Sequence, residues 1–142
     1  MTVCNTSKQL NIGQAAAASG VPAKTIRYYE QVSLLPKAHR APNGYRLYDA
    51  AAVERLRFIR RARDLGFVLS GVAELLTLYD NPNRTARDVR TLATQHLKTV
   101  DAKLVELSAL RRTLATLVDA CPGSDDSDCP ILNDLTHSSE SP

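Results

Sequence analysis

The spacing of apolar residues along the chain predicts a mainly helical protein. In two segments, apolar side chains recur every three or four residues, which places them on one face of a helix. The first row consists of Val53, Leu56, Ile59 and Ala62, and the second consists of Val100, Leu104, Leu107, Leu110, Leu114 and Leu117. We therefore expect two amphipathic helices, each of which buries one face.

Capping and turn residues predict two short helices near the N-terminus. Asn11 can cap a helix that runs through Ala18, and Gly20 ends it. A second helix is expected from about Ala23 to Val32. Two short helices joined by a turn that contains Gly are typical of a helix-turn-helix.

A tight-turn signal follows these helices. Asn43-Gly44 is flanked by Arg40 on one side and by the alternating residues Tyr45 to Tyr48 on the other. This pattern predicts a small β-hairpin of the kind called a wing.

Two further helices should complete the N-terminal domain before the long helix begins. Asp49 can cap a helix that ends near Leu65, and Ser70 can cap a shorter one that ends near Tyr79.

A long helix is predicted in the C-terminal half. Thr85, with Asp88 three residues later, resembles a capping box, and no Gly or Pro interrupts the chain up to about Ala120. Such a helix would be roughly 50 Å long, more than the preceding domain can cover. We therefore expect a second copy of the chain to pack against its apolar face as a coiled coil. The alternative is that the helix folds back on its own chain.

Charge is distributed very unevenly along the sequence. Between Lys24 and Arg63 there are ten Lys or Arg against three acidic residues, a local net charge of +7. From Asp119 to Pro142 there are six acidic residues and no Lys or Arg. The basic segment indicates a polyanionic partner. No stretch approaches the roughly 20 apolar residues that cross a bilayer, so we expect a cytoplasmic protein without membrane contact.

The basic helix-turn-helix and the wing together predict a DNA-binding face. The second helix can lie in the major groove while the hairpin contacts the adjacent backbone. The alternative is a solvated basic face with tyrosines that serve only in packing. The candidate DNA-binding residues are Lys24, Arg27, Tyr28, Arg40, Asn43, Gly44, Tyr45, Arg46 and Arg63.

Two cysteines just beyond the long helix form the candidate metal site. Cys121 and Cys129 enclose seven residues that include Pro and Gly, a loop able to bring two sulfurs to one ion. The further ligands of a tetrahedral zinc site are missing, whereas two thiolates suit a soft ion such as Cu(I). The alternatives are a redox pair or two cysteines without a role. Cys4 lies in a segment without periodicity, and we assign it no function.

These segments together resemble the MerR family of transcription regulators. Residues Ile12 to Tyr48 are similar to the winged-helix head of that family, and residues 60–67 are similar to its next element. The segment from Cys121 to Leu132 resembles the metal loop of the copper-efflux (CueR) type. The resemblance extends over about residues 10–135.

The resemblance implies a homodimer held by an antiparallel pair of the long helices. Cys121 and Cys129 match the two metal ligands, so each site would bind one Cu(I), Ag(I) or Au(I) through two thiolates. The site would lie near the start of the partner's long helix. Ala86 matches the selectivity position there, where sensors of divalent ions place a third cysteine and many copper sensors place serine.

The implied function is activation of metal efflux or detoxification genes. Dimers with and without metal would both bind promoter DNA, and the loaded form would distort the duplex so that RNA polymerase engages the promoter. We expect no enzyme, because none of the three His residues has a nearby nucleophile pattern. Two alternatives stay open: a regulator of the same fold that responds to thiol oxidation, a small molecule or another metal ion, and a thiol-based metal carrier or redox enzyme.

The predicted architecture is therefore a mainly α protein with a winged helix-turn-helix head, a long dimerisation helix and a short metal-binding loop. The expected segments are a flexible leader (1–9), the winged-helix DNA-binding domain (10–80), the linker and dimerisation helix (81–120), the metal-binding loop (121–135) and a disordered tail (136–142).

Overall fold

The computed structural model describes residues 9–125 and 127–137, and most of them are helical. Cys4, most of the predicted leader and residues 138–142 of the predicted tail lie outside the described residues. The elements are α1 (Ile12–Ser19), α2 (Ala23–Gln31), β1 (His39–Arg40), β2 (Arg46–Leu47), α3 (Ala50–Asp64), α4 (Leu69–Asp80), α5 (Ala86–Ala120) and α6 (Pro130–His137). The predicted mainly helical fold with a helix-turn-helix is confirmed.

Helix α1 begins with a reciprocal cap and ends at a glycine. Asn11 Oδ1 accepts from the N–H of Gln14 at 2.8 Å, and Gln14 Oε1 accepts from the N–H of Asn11 at 2.9 Å. Gly20 has a φ of +77°, and its N–H donates to the Ala16 carbonyl. This left-handed residue turns the chain into α2 at little conformational cost.

The wing is a two-stranded antiparallel hairpin. His39 pairs with Leu47, and Arg40 pairs with Arg46. A β-bridge joins Leu10 to Tyr48 through two hydrogen bonds of 2.8 and 2.7 Å, so the chain before α1 is paired with the residue after β2. The hairpin is thereby attached to the start of the helix-turn-helix.

Helix α3 forms the centre of the core. Asp49 caps it by accepting from the N–H of Ala52 at 2.9 Å, and the predicted apolar row on α3 is buried. Helix α3 packs against α1 and α4, and α1 packs against α2. The buried apolar residues of the core are Ala15, Val21, Ile26, Tyr29, Leu34, Leu35, Tyr48, Val53, Leu56, Ile59, Ala62, Val72 and Leu76.

Helix α4 begins earlier than expected. Val68 is the residue before its first turn, and no side chain caps it, so the assignment of Ser70 as the cap is wrong. Phe67 and Leu69 both pack against the core, and Arg63 Nη1 donates to the Phe67 carbonyl at 2.9 Å. Apolar packing and this backbone contact determine where α4 starts.

The predicted metal-binding loop contains a helix. Helix α6 spans Pro130–His137, so it also includes the first two residues of the predicted tail. Pro130 occupies the first helical position, where its missing N–H costs no hydrogen bond. The carbonyl of Cys129 accepts from the N–H of Asn133 at 3.0 Å.

The chain divides into two compact units, Met1–Ala93 and Thr94–Pro142. Helix α5, which begins in the first unit, has no buried residue along its length. Four of its predicted apolar residues, Leu104, Leu107, Leu110 and Leu114, are 57–61% exposed, and we call them the apolar row. Val100 and Leu117 are half-buried. Within the described part of the chain, every helix is too short or too polar to cross a membrane.

Candidate functional site

The amphipathic character of α2 exposes a polar face. Ile26 and Tyr29 are buried in the core, whereas Lys24, Arg27 and Tyr28 are exposed. The buried side chains fix the rotation of the helix about its axis. The structure thus presents these three sequence-predicted residues to solvent on one element.

The tip of the wing is organised by local hydrogen bonds. Asn43 Oδ1 accepts from the N–H of Tyr45 at 3.1 Å, and Gly44 adopts a φ of +87°. Arg40 Nη1 donates to the Gly44 carbonyl at 3.2 Å. Tyr45 is 69% exposed at this tip. Asn43 and Gly44 therefore shape the turn, and Arg40 and Tyr45 supply exposed side chains beside it.

Glu30 is a buried carboxylate on α2 that contacts Arg46, and the sequence analysis missed its role. Glu30 Oε1 accepts from Arg46 Nη1 at 3.1 Å and from the Tyr48 hydroxyl at 2.8 Å, and Oε2 accepts from the N–H of Ala38 at 2.8 Å. Glu30 lies four residues after the buried Ile26, so helical periodicity places it on the buried face. That position was the signal available in the sequence.

The environment of Glu30 also affects Tyr48. Burial, and next the hydrogen bond to the Glu30 carboxylate, raise the pKa of the Tyr48 phenol above its usual value. The phenol therefore remains a neutral donor to Glu30 over a wider pH range than an exposed tyrosine would.

The arginines of α3 have different environments. Arg57 donates through Nε and Nη2 to the Ala18 carbonyl at 3.1 and 3.0 Å, which satisfies a carbonyl in the last turn of α1. The Arg60 guanidinium lies over Gly20, where an added Cβ would overlap it. Arg63, a predicted DNA contact, is exposed at the end of α3.

The two cysteines of the candidate metal site lie next to helix ends. The N–H of Cys121 donates to the Leu117 carbonyl at 3.1 Å, so this residue directly continues α5, and Cys129 immediately precedes α6. Both thiols are free and half-exposed, and the Cys121 side chain is one of the groups that lower the pKa of Cys129. The structure therefore brings the predicted pair together.

The first turn of α6 favours the thiolate of Cys129. A hydrogen bond from the backbone N–H of Leu132 is the main cause that lowers the pKa of Cys129, and the Ile131 N–H and the Cys121 thiol add to it. Burial and the Asp128 carboxylate act in the opposite direction. A lowered thiol pKa increases the fraction of sulfur that is ready to bind a metal.

The donor set around this pair is small. Among residues 9–125 and 127–137, no group of three or more His, Cys, Asp or Glu side chains is arranged to hold a metal ion. The chemistry of two soft sulfurs fits a monovalent coinage metal better than zinc.

Ala86 is the first residue of α5. Thr85 Oγ1 accepts from the N–H of Asp88 at 3.1 Å, which caps this end of the helix. The methyl side chain of Ala86 has no ligating atom. Its assignment as the selectivity position stays a prediction.

Comparison with known families and proteins identifies the chain. The model of the MerR HTH family regulatory proteins matches residues 10–78, and the model described as MerR, DNA binding matches residues 53–117. The regulator HmrR of Rhizobium leguminosarum bv. viciae is 49% identical, over 89% of this chain and 98% of its own. The chain belongs to the MerR family.

Other MerR proteins are similar over most of their length. The regulator CueR of Yersinia pestis is 38% identical, over 93% of this chain and 97% of its own. The crystal structure of a transcription regulator from Ralstonia metallidurans CH34 in complex with lead(II) superimposes with a TM-score of 0.74 at 36% identity, covering 89% of this chain and 98% of that one. These relatives are transcription regulators and not enzymes, in agreement with the expectation from the sequence.

Proposed function

We propose that this MerR protein is a homodimeric sensor of Cu(I), Ag(I) or Au(I) that activates metal efflux or detoxification genes. The observation that carries the proposal is a pair of free thiols, Cys121 directly after α5 and Cys129 directly before α6, which are joined by a short loop. The names of its relatives, which include CueR and heavy metal-dependent regulators, support the same class of function.

The thiol pair suits a two-coordinate ion. Cys121 and Cys129 would supply two thiolates, which together with a monovalent ion leave one net negative charge. Backbone N–H groups at the start of α6, such as that of Leu132, reduce the cost of that charge. Zinc normally requires four ligands and gains less from this pair.

The apolar row on α5 supports the dimer. Four leucines exposed along one helix face form a surface that a second α5 can cover, which the family resemblance expects in antiparallel orientation. In that arrangement Ala86 of one protomer would lie near the thiol pair of its partner.

The DNA-binding face would convert metal binding into a change at the promoter. We assign Lys24, Arg27 and Tyr28 on α2, and Tyr45 and Arg46 on the wing, to contacts with promoter DNA in the cytoplasm. Metal binding would favour the conformation that bends and untwists the promoter, so that RNA polymerase engages both of its elements.

A metal titration tests the proposal. The reduced full-length dimer is titrated with Cu(I), Ag(I), Au(I) and Zn(II), and distortion of a bound promoter duplex is measured with each metal. We expect a response to the monovalent ions and none to Zn(II). Cys129→Ser should abolish the response and leave DNA binding intact, and Cys4→Ser serves as the matched control. Tighter binding of Zn(II) than of Cu(I) would contradict the two-thiolate site.

A second candidate is a regulator of the same fold that responds to thiol oxidation. The contact between the two cysteine side chains favours it, because a disulfide requires such proximity. An oxidant that distorts the promoter in the absence of metal, combined with no response of the reduced protein to Cu(I), would support this candidate instead.

A further inference from the structure

Glu30 is buried at the end of α2 and contacts three separate parts of the wing region. Its side chain is 6% exposed. It accepts three hydrogen bonds, from Ala38 just before β1, from Arg46 on β2 and from Tyr48 just after β2. Burial of a carboxylate is unfavourable unless partners of this kind compensate for it. The carboxylate therefore links the candidate recognition helix to both sides of the wing.

Beside Glu30 lies a cleft with a net positive charge. Its volume is about 260 Å³, and its lining includes Lys37, Arg40 and Arg46 around Glu30. Arg46 donates to Glu30 through Nη1 and its side chain is still 38% exposed, so part of the guanidinium can reach a ligand. Three cations and one carboxylate leave a charge of +2, which fits an anionic group.

We propose that Lys37 adds a phosphate contact in this cleft to the backbone contact expected of the wing, and that Glu30 is the positioning residue that holds Arg46 for that contact. The phosphate source is DNA because the cleft lies between α2 and the wing, within residues 10–78 that match the MerR helix-turn-helix model. Lys37 is thereby a further DNA-contacting residue. The proposal goes beyond metal sensing and depends only on DNA binding.

The test uses metal-free full-length protein and a duplex that the wild type selects from a random-sequence pool. Binding is measured as a function of salt concentration, because each lost phosphate contact lowers the slope of log affinity against log salt by about one. Lys37→Ala should lower the slope by that amount, and Lys103→Ala on α5 is the matched control with no expected change. An unchanged slope for Lys37→Ala would overturn the phosphate site.

A double-mutant cycle separates positioning from general stability. Glu30→Gln should weaken DNA binding by about tenfold in the wild type and by less than about twofold in the Arg46→Ala background, because Glu30 acts through Arg46. Equal losses in both backgrounds would overturn the positioning role. Tyr48→Phe removes another partner of Glu30 without a change of charge, and should leave the salt slope unaltered.

Thermal unfolding of each variant accompanies these measurements. If Glu30→Gln does not fold, the pair Lys37→Ala and Arg46→Ala completes the test, since both side chains are partly or fully exposed. Non-additive effects of this pair on affinity support one shared phosphate, and strictly additive effects contradict it. A wild type that binds DNA but ignores every metal would refute the proposed function and leave this inference intact.

Discussion

Leu107 lies within the apolar row of α5, and its replacement tests whether that row is the dimer interface. In one chain it is 61% exposed. Full burial of a leucine side chain contributes about 1.5–3 kcal/mol, so covering this exposed part contributes about 1–2 kcal/mol per chain. Both protomers change, so Leu107→Ala should cost about 2–4 kcal/mol, which corresponds to a roughly 30- to 700-fold weaker dimer.

Leu107→Glu should have a larger effect. It removes the same apolar contact and adds a carboxylate without a partner to each side of the interface. The matched control is Ala109→Glu, because two residues correspond to about 200° around the helix and place the same charge on the opposite face. Ala109 is exposed, so this variant should keep the wild-type dimer.

Sedimentation equilibrium over a range of protein concentrations measures the dimer dissociation constant. Circular dichroism on the same samples shows whether a dissociated variant still folds. We expect the order wild type and Ala109→Glu, then Leu107→Ala, then Leu107→Glu, from tightest to weakest. A wild-type constant for Leu107→Glu would refute the assignment of the apolar row to the dimer.

Three further predictions concern other parts of the molecule. Arg27→Ala should weaken binding to a selected duplex, by about 1–3 kcal/mol if Arg27 contacts a base, while a metal titration stays unchanged; fluorescence anisotropy measures the affinity. Ala86→Cys should add a third sulfur from the partner chain and extend the promoter response to Hg(II), Pb(II) or Cd(II), whereas Ala86→Ser should not. Because the pKa of Tyr48 is raised in the folded state, its contribution to stability is present below pH about 10 and is lost as the pH rises through the folded-state pKa. Alkaline pH should therefore lower the free energy of unfolding more for the wild type than for Tyr48→Phe, as measured by urea unfolding.

Local signals in the sequence were sufficient for much of the fold. Asn11 and Asp49 cap the helices that they were expected to cap, because a capping bond depends only on residues a few positions apart. On α3, Val53, Leu56, Ile59 and Ala62 are buried as their periodicity predicted. Ser70 was misassigned because the start of α4 depends on the packing of Phe67 and Leu69 against the core, which is a tertiary effect.

The sites show the same division between local and long-range information. The assignment of Cys121 and Cys129 to one site rests on loop length and composition and stays a prediction. Helix α6 was not expected, although Pro130 is a typical first helical residue. The role of Glu30 depends on partners 8, 16 and 18 residues away in the sequence. A single sequence gives the burial of such a residue through periodicity, but it does not give the identity of its partners.

The backbone conformation of Gly20 limits which residues position 20 can accept. Gly20 is exposed, and an exposed position usually accepts many residues. Here a side chain at position 20 would have to adopt a φ of +77°, and it would displace the end of the flexible Arg60 side chain, which can move at little cost. The backbone penalty is about 1–2 kcal/mol for most residues, and a shorter residue at position 60 would not reduce it. Asn tolerates that backbone conformation best among residues with a side chain, so it is the replacement that position 20 should accept most easily.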